Sequence, residues 1–206
     1  MGSLSDNLFP FETKWNQRDH AEMLQRCKSW LGDGEILDVG CGRGESTYYL
    51  GATGFELKKF FTWKNFDWKP FDARFLVADA VHLPFNSSVF DGVLINNVLE
   101  HVPDKESMIS ELKRITKPGS TYVFILPTAR WKIYKFIDLP KNFIRILRGY
   151  ETMDWWVHAP NVHGLNWFSE FNDFRNWEKL LSKYFHIEKK VCKLNGFQLL
   201  FKCSDK

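Results

Sequence analysis

Three glycines at alternate positions, preceded by an acid, form the stretch of this sequence with the clearest chemical potential. Asp38 ends a short apolar run, and Gly40, Gly42 and Gly44 follow it, just before a helix that we predict at residues 45–50. A buried strand that runs through a glycine turn into a helix is how α/β folds build nucleotide pockets. Glycine has no Cβ, so a ligand can lie directly against the backbone of such a turn. The pattern predicts a nucleotide-type ligand after the first strand.

Further polar candidates follow the next three predicted strands. Glu56 lies in residues 54–57, which form the end of a second predicted strand. Asp79 follows a strand at 73–78, and Asn96 ends one at 91–96. A carboxylate at Glu56 can accept two hydrogen bonds from the hydroxyls of a ribose. Open α/β sheets bind ligands outside the carboxyl ends of their strands. We therefore expect these side chains to gather at one edge of the sheet.

The elements that must position these residues alternate between helical and strand patterns. This alternation predicts an α/β fold with a mostly parallel sheet that is covered by helices on both faces. The Asn195-Gly196 pair is typical of a hairpin turn, so the last strand is expected to be antiparallel. We predict helices at residues 16–31, 45–50, 58–66, 104–116 and 170–184, and strands at 35–39, 54–57, 73–78, 91–96, 121–126, 185–193 and 196–203.

Length, cysteine usage and charge narrow the class of protein. The 206 residues suit one sizeable domain. No run approaches the roughly 20 apolar residues needed to cross a bilayer, and four scattered cysteines without a secretory leader predict a reduced, cytoplasmic protein. The net charge of +3 is unevenly distributed: residues 1–129 carry 14 basic and 17 acidic side chains, and residues 130–206 carry 14 and 8. The carboxy-terminal part is therefore the part expected to meet an anion.

A dinucleotide-binding protein is the nearest competing interpretation of the glycine turn. Its fingerprint is G-x-G-x-x-G, followed by an acid about 20 residues later. Here the third glycine, Gly44, comes one position early, and Glu45 stands where the fingerprint needs glycine. Asp38, the acid before the first glycine, is not part of that fingerprint.

Taken together, the motifs at residues 37–44, 54–57, 77–85, 90–102 and 111–119 resemble those of class I S-adenosylmethionine-dependent methyltransferases. Within that class, the chain is similar to the small-molecule group (methyltransferase type 11) that includes quinone-biosynthesis enzymes. The resemblance covers about residues 20–127. It implies a Rossmann-like seven-stranded sheet of order 3-2-1-4-5-7-6 with an antiparallel last strand, and S-adenosylhomocysteine as the product of the cofactor.

The resemblance gives each candidate a role. Glu56 would bind the ribose, Asp79 the adenine amino group and the Ala80 backbone the adenine ring edge. Asp38 would hold the glycine turn and the cofactor's amino group, and Asn96 would line the methionine and the transferable methyl. The three glycines would let the backbone approach the methionine end. No metal is implied.

We divide residues 1–206, as one methyltransferase domain, into four parts. Residues 1–31 form an aromatic lead-in and a helix, and residues 32–127 form the cofactor-binding core. Residues 128–170 form a basic, aromatic lid that selects the substrate. Residues 171–206 form the last helix and the terminal hairpin.

The predicted lid contains two features that bear on the acceptor. Residues 130–148 hold six basic side chains and one acid, a pattern that fits either an amphipathic lid or contact with an anionic membrane surface. His158 and His163 lie among aromatic residues, and either could accept a proton near neutral pH. The alternative is that both histidines only shape the loop.

The sequence therefore predicts methyl transfer to a small-molecule or lipid-like acceptor by in-line displacement. Two alternatives stay open: a nucleic-acid methyltransferase, and an inactive S-adenosylmethionine-binding regulatory protein. A basic, aromatic surface could stack bases. However, residues 96–99 read Asn-Asn-Val-Leu and lack the Asn-Pro-Pro-Tyr pattern of base-flipping enzymes. The acceptor atom and the oligomeric state are left open.

Overall fold

The computed structural model describes residues 14–57, 74–128, 174–193 and 198–206 of the chain. These residues form one seven-stranded sheet and four helices. The predicted helix at 58–66, the lid at 128–170 beyond Thr128 and the hairpin turn at 194–196 lie outside them. In chain order the elements are α1 (Lys14–Leu31), β1 (Ile36–Val39), α2 (Glu45–Leu50), β2 (Thr53–Glu56), β3 (Arg74–Val77), β4 (Phe90–Asn96), α3 (Lys105–Ile115), β5 (Thr116–Pro127), α4 (Phe174–Tyr184), β6 (Phe185–Lys193) and β7 (Gln198–Asp205).

The strand order is β3-β2-β1-β4-β5-β7-β6, which confirms the order that the family resemblance implied. The first five strands pair in parallel, and β7 runs antiparallel to both β5 and β6, so the antiparallel last strand is also confirmed. Asp38 of β1 lies in register with Gly54 of β2 and Leu94 of β4. The carboxyl ends of β1, β2 and β4 are therefore neighbours.

The two faces of the sheet are covered by different helices. Because successive side chains of a strand point to opposite faces, Val93 and Ile95 face one way and Leu94 faces the other. Val93 and Ile95 pack in a cluster with α3 and α4, whereas Leu94 packs in a second cluster with Met23 and Cys27 of α1. The alternation thus places α1 on the face opposite to α3.

Helix α3 confirms the predicted cap and differs at its carboxyl end. The Asp104 side chain accepts a hydrogen bond from the Ser107 backbone N–H at 2.9 Å, as expected of an N-cap. The helix ends at Ile115, and β5 begins directly at Thr116 rather than at the predicted Thr121. The pairing of β4 with β5 jumps from Phe90↔Thr116 to Gly92↔Thr121, so residues 117–120 form an irregularity that periodicity alone does not reveal.

Helix α4 is joined to the end of β5 by a buried hydrogen bond. The indole Nε1–H of Trp177 donates to the carbonyl oxygen of Pro127 at 3.1 Å. Trp177 and Leu181 of this helix are buried in the same cluster as α3. Among the helices in the described ranges, none combines the length and apolar character needed to cross a membrane.

Candidate cofactor site

The glycine loop between β1 and α2 has a left-handed backbone, with φ of 61° at Gly40, 52° at Gly42 and 94° at Gly44. Side-chain-bearing residues rarely adopt such angles, so glycine is required here. A Cβ on Gly40 would lie 2.4 Å from Cγ2 of Val98, in the turn after β4. A Cβ on Gly42 would meet no atom of the described ranges within 4 Å. The loop is therefore packed tightly at Gly40 and open at Gly42.

Asp38 anchors this loop from inside the sheet. Its side chain is fully buried, and Oδ2 accepts hydrogen bonds of 2.7 Å from both Ser46 Oγ and Thr47 Oγ1 in the first turn of α2. Burial raises the pKa of Asp38 to about 6, although the two hydroxyl donors oppose the shift. The second carboxylate oxygen, Oδ1, is buried and has no hydrogen-bond partner among the described residues. Asp38 thus connects the two ends of the loop, and its Oδ1 atom can accept a further hydrogen bond.

Gly54 makes the Asp38 contact possible, and sequence reasoning did not assign it a role. A Cβ at Gly54 would lie 2.5 Å from Thr47 Oγ1 and 2.9 Å from Cys41 Sγ. Without this glycine in β2, Thr47 could not reach Asp38. A glycine inside a strand pattern is the signal for such a close approach.

Two cavities meet at Gly40 along the carboxyl edge of the sheet. The first, which we call the small cavity, has a volume of about 300 Å³ and lies between α1, the glycine loop and Asn96. Its α1 wall consists of His20, Met23 and Leu24, which share one helix face at three-to-four spacing. Sequence reasoning missed this wall because Met23 and Leu24 are also buried core residues, so the same periodicity predicts plain packing.

The second, which we call the large cavity, has a volume of about 660 Å³ and a mostly apolar lining. Glu56 lies at its β2 side, and Asp79 and Ala80 lie at its β3 side. The opposite wall is the turn after β4, which includes Val98 and His101. With Gly40, four of the predicted cofactor residues therefore line one cavity.

Hydrogen bonds to backbone amides orient the two carboxylates of the large cavity. Glu56 Oε2 accepts from the Gly42 N–H at 3.3 Å, and Oε1 accepts from the Leu57 N–H at 2.9 Å. Asp79 Oδ1 accepts from the Val81 N–H at 3.1 Å. Glu56 therefore connects the large cavity to the glycine loop that borders the small one.

The Asn96-Asn97 pair stands at the boundary between the cavities, with Asn96 in the small one and Asn97 in the large one. Asn97 has φ of 52°, a left-handed conformation that asparagine tolerates better than most residues. Its Nδ2 donates to Asn96 Oδ1 at 2.9 Å, and its backbone N–H donates to the Ile125 carbonyl at 2.9 Å. Unusual backbone of this kind is concentrated at functional sites.

Glu100 is a buried acid in the turn that walls the large cavity. Its side chain is buried, and Oε1 lies 3.8 Å from Nε2 of His101. In the part of the chain that the structure describes, Oε2 has no hydrogen-bond partner. Burial raises the pKa of Glu100 to about 8, so the neutral acid predominates near pH 7. Across the described ranges, no three His, Cys, Asp or Glu side chains are grouped to hold a metal ion.

Six of the eight predicted cofactor residues line the two cavities: Gly40, Gly42, Glu56, Asp79, Ala80 and Asn96. Asp38 and Gly44 support the loop without lining either cavity, and Gly44 is the N-cap of α2. The two histidines proposed for proton transfer, His158 and His163, lie outside the described residues.

Comparison with known proteins shows which proteins this chain is similar to. Residues 37–124 match the family model of a methyltransferase domain. The chain is 32% identical over 143 residues to the 2-methyl-6-phytyl-1,4-hydroquinone methyltransferase of a Synechocystis strain, a match that covers 66% of this chain and 43% of that protein. It is 30% identical over 124 residues to the ubiquinone/menaquinone biosynthesis C-methyltransferase UbiE of Desulfotalea psychrophila, covering 52% of this chain and 48% of the relative.

A solved structure extends the similarity in fold to nearly the whole chain. It is that of an S-adenosylmethionine-dependent methyltransferase from Aquifex aeolicus, with a TM-score of 0.65, 13% identity and coverage of 98% of both chains. The chain spans less than half the length of the two curated relatives. Residues 37–124 therefore match a methyltransferase domain, and the fold of the chain is similar to that of a solved S-adenosylmethionine-dependent methyltransferase.

Proposed function

We propose that the protein binds S-adenosylmethionine across the two cavities and transfers its methyl group to a small, quinone-like or lipid-like acceptor. The observation that carries this proposal is that the small and large cavities are adjacent and share Gly40 in their linings. Two adjacent cavities suit a ligand with a nucleoside at one end and an amino acid at the other.

The large cavity suits the adenosine part of the cofactor. The Glu56 carboxylate has two acceptor oxygens for the two ribose hydroxyls. Asp79 would accept from the adenine amino group, and the Ala80 backbone would meet the ring edge. The aliphatic side chains of Val81 and Val98 offer apolar contact to the base. All of these groups lie at strand ends, where α/β sheets bind nucleotides.

The small cavity suits the methionine part. Arg43 would attract the carboxylate, and Glu45 would attract the ammonium group. No atom of the described residues lies within 4 Å of the position that a Gly42 Cβ would take, so a ligand can lie against this side of the loop. Asn96 would lie beside the methyl group. The residues present therefore fit the cofactor.

When bound, S-adenosylmethionine supplies a methyl group on a sulfonium that is already activated for displacement. The protein's contribution is then to align the acceptor with that methyl and to exclude water. A base is needed only where the acceptor atom must lose a proton. His158 and His163 stay our candidates for that base, and residues 128–170 stay our candidate for the lid that selects the acceptor.

The acceptor class is inferred from the similar proteins. The names of the two relatives refer to a phytyl hydroquinone and to ubiquinone and menaquinone biosynthesis, which concern ring compounds with long isoprenoid tails. An apolar, basic segment such as residues 130–148 would suit an acceptor that is held at an anionic membrane surface. We infer an aromatic ring with an apolar tail as the acceptor.

Cofactor binding is the first test. Titration calorimetry with S-adenosylhomocysteine should detect binding by the wild-type protein. Glu56→Ala should weaken it by about 10- to 100-fold, because hydrogen bonds to a charged group are lost. Glu188→Ala is the matched control, since Glu188 pairs with Lys202 on the β6–β7 hairpin. Absence of binding, or equal losses in both variants, would contradict the proposal.

Turnover is the second test. The protein should convert S-adenosylmethionine to S-adenosylhomocysteine with tailed hydroquinones, and more slowly with the same rings lacking the tail. His158→Ala and His163→Ala should lower the rate of methyl transfer. Cosedimentation of the protein with anionic vesicles at low salt is a separate test, which asks whether the protein contacts a membrane surface. Methyl transfer to an oligonucleotide alone would favour a nucleic-acid substrate. Cofactor binding without turnover across the panel would favour the regulatory alternative.

A further inference from the structure

The segment that carries Asp79 and Ala80 is held by two side chains of α3 that do not line either cavity. Glu111 Oε1 accepts from the Leu83 N–H at 2.8 Å. Arg114 donates to the Leu83 carbonyl at 3.2 Å and to the Phe85 carbonyl at 2.9 Å. Both backbone groups of Leu83 and one of Phe85 are therefore bound by this pair.

The two side chains also fix each other. Arg114 Nε donates to Glu111 Oε2 and one terminal nitrogen donates to Oε1, both at 2.7 Å. Such a two-pronged contact restricts the orientation of both groups. The arginine holds the pKa of Glu111 below its ordinary value, which keeps the carboxylate ionised. The Glu111–Arg114 pair thus acts as one rigid unit on the surface of the helix.

Other hydrogen bonds that hold this segment lie close to the large cavity. The Ala78 N–H donates to the Glu56 carbonyl at 3.0 Å, and the His82 N–H donates to the Asp79 carbonyl at 3.0 Å. Beyond Ala78 the segment departs from β3, the edge strand of the sheet. Leu83 is buried in the main core, so its position decides how the turn at 79–82 faces the cavity. The Glu111–Arg114 pair fixes that position from the outer side.

Helix α3 also reaches the opposite wall of the large cavity. Its N-cap, Asp104, lines that cavity, while Glu111 and Arg114 near its other end hold the Asp79 segment. One helix therefore connects the two walls between which the adenine is proposed to lie.

We propose that Glu111 and Arg114 are positioning residues that set cofactor affinity from outside the cavities by holding Asp79 and Ala80 in place. This inference rests on the proposed function. It predicts that disrupting the pair weakens the adenosine end of the ligand, so adenosine and S-adenosylhomocysteine should lose affinity by the same factor.

The test compares Glu111→Ala and Arg114→Ala with Lys113→Ala. Lys113 is the matched control because it lies on the same helix but forms its ion pair with Asp205 of β7. We expect each variant of the pair to raise the dissociation constants of both ligands by about tenfold, and the control to change neither. Arg114→Lys keeps the charge but loses the planar fork, so it should give an intermediate loss.

Amide hydrogen exchange in the ligand-free protein separates positioning from general destabilisation. Exchange over residues 78–85 should rise in Glu111→Ala and Arg114→Ala, while exchange in β4 and β5 stays as in the wild type. Glu111→Gln, which keeps an acceptor for the Leu83 N–H, provides a milder variant should Glu111→Ala fail to fold. Unchanged affinities, or exchange that rises equally throughout the protein, would overturn the inference.

Failure of the proposed function has a different signature. If the wild-type protein binds neither adenosine nor S-adenosylhomocysteine, the groove is not a cofactor site, and a role of the pair in cofactor affinity falls with it. Binding by the wild type together with unaltered binding by the variants overturns only the role of Glu111 and Arg114.

Discussion

The small cavity and the large cavity differ in what holds their walls in place. Around the small cavity the loop is shaped by backbone: Gly40 is packed against Val98, and buried Asp38 joins the loop ends from below. The large cavity is lined by carboxylates at strand ends, with the Asp79 segment held by side chains of a distant helix. We therefore expect substitutions that add atoms to the packed part of the glycine loop, at the small cavity, to be poorly tolerated. Substitutions around the large cavity should lower cofactor affinity gradually.

The glycine loop offers the largest effect and the sharpest test of that difference. Gly40→Ala should lower both the melting temperature and S-adenosylhomocysteine affinity, by more than about 100-fold for the affinity, because its Cβ would overlap Val98. Gly42→Ala should cost less stability, since only the left-handed backbone is strained, by about 1–2 kcal/mol. It should still weaken binding, because its methyl group would occupy the groove.

Calorimetry and thermal melts on both variants check this prediction. Gly40→Ala combined with Val98→Ala should recover part of the lost stability, because the overlapping methyl groups are removed. Equal behaviour of Gly40→Ala and Gly42→Ala would show that the loop is not packed against the turn after β4.

A buried acid with a raised pKa lies near each cavity, Asp38 near the small one and Glu100 near the large one. Of these two acids, Asp38 is the one that accepts hydrogen bonds from hydroxyl groups. Because the pKa of Glu100 is about 8 in the folded protein, above its ordinary value of 4.5, the proton binds the folded state more tightly. The stability that this proton provides is complete below pH 4.5 and is lost as the pH rises through 8.

Glu100→Gln should remove this dependence. Relative to that variant, the wild type should lose up to about 1.4 kcal/mol of unfolding free energy per pH unit within the window from 4.5 to 8. Urea denaturation at pH 5, 6, 7 and 8 measures the difference. Asp38→Asn is the companion variant, whose difference from the wild type should stop changing above about pH 6. A constant wild-type-to-Glu100→Gln difference would show that Glu100 is ionised throughout.

Helix α1 supplies a test that the two cavities bind separate parts of the ligand. His20→Ala should weaken S-adenosylhomocysteine binding by about 5- to 10-fold through one lost polar contact, and should leave adenosine binding unchanged. His186→Ala, on β6, is the control. A loss of adenosine affinity in His20→Ala would mean that α1 also shapes the large cavity.

The boundary between the cavities gives the smallest effect. Asn97→Gly and Asn97→Ala both lose the bond to Asn96, but only alanine is strained at φ of 52°. We expect Asn97→Gly to be more stable than Asn97→Ala by about 1 kcal/mol in urea denaturation. The reverse order would show that the backbone relaxes when the amide is lost.

Much of the fold was predictable because its signals are local. The family resemblance implied the strand order. The bounds of α2 and β6 agree with the hydrophobic periodicity, because side chains of regular elements repeat at a fixed period. The glycine turn and the family resemblance supplied the six candidates that line the cavities, and parallel strands bring their carboxyl ends to one edge of the sheet. The start of β5 at Thr116 was missed because a strand irregularity has no local pattern.

The rest of the site depends on contacts between residues distant in sequence. The role of Gly54 follows from its cross-strand approach to Thr47, and Leu83 meets Glu111 28 positions further along the chain. His20 lies on a helix whose apolar spacing is explained by core packing alone. Burial of Glu100 likewise depends on its surroundings in three dimensions. A single sequence does not contain these distances, so such residues are found only once the fold is known.

The hydrogen bond from Trp177 to Pro127 has a consequence for how this protein can diversify. It fixes the points at which the chain leaves β5 and enters α4, so the intervening residues begin and end at neighbouring positions on a buried core. The entropy cost of closing such a loop grows only slowly with its length. The segment between these two points can therefore be exchanged for one of another length while the cofactor groove is retained. We propose that residues 128–170 select the acceptor, and on that proposal acceptor preference can be exchanged together with this segment.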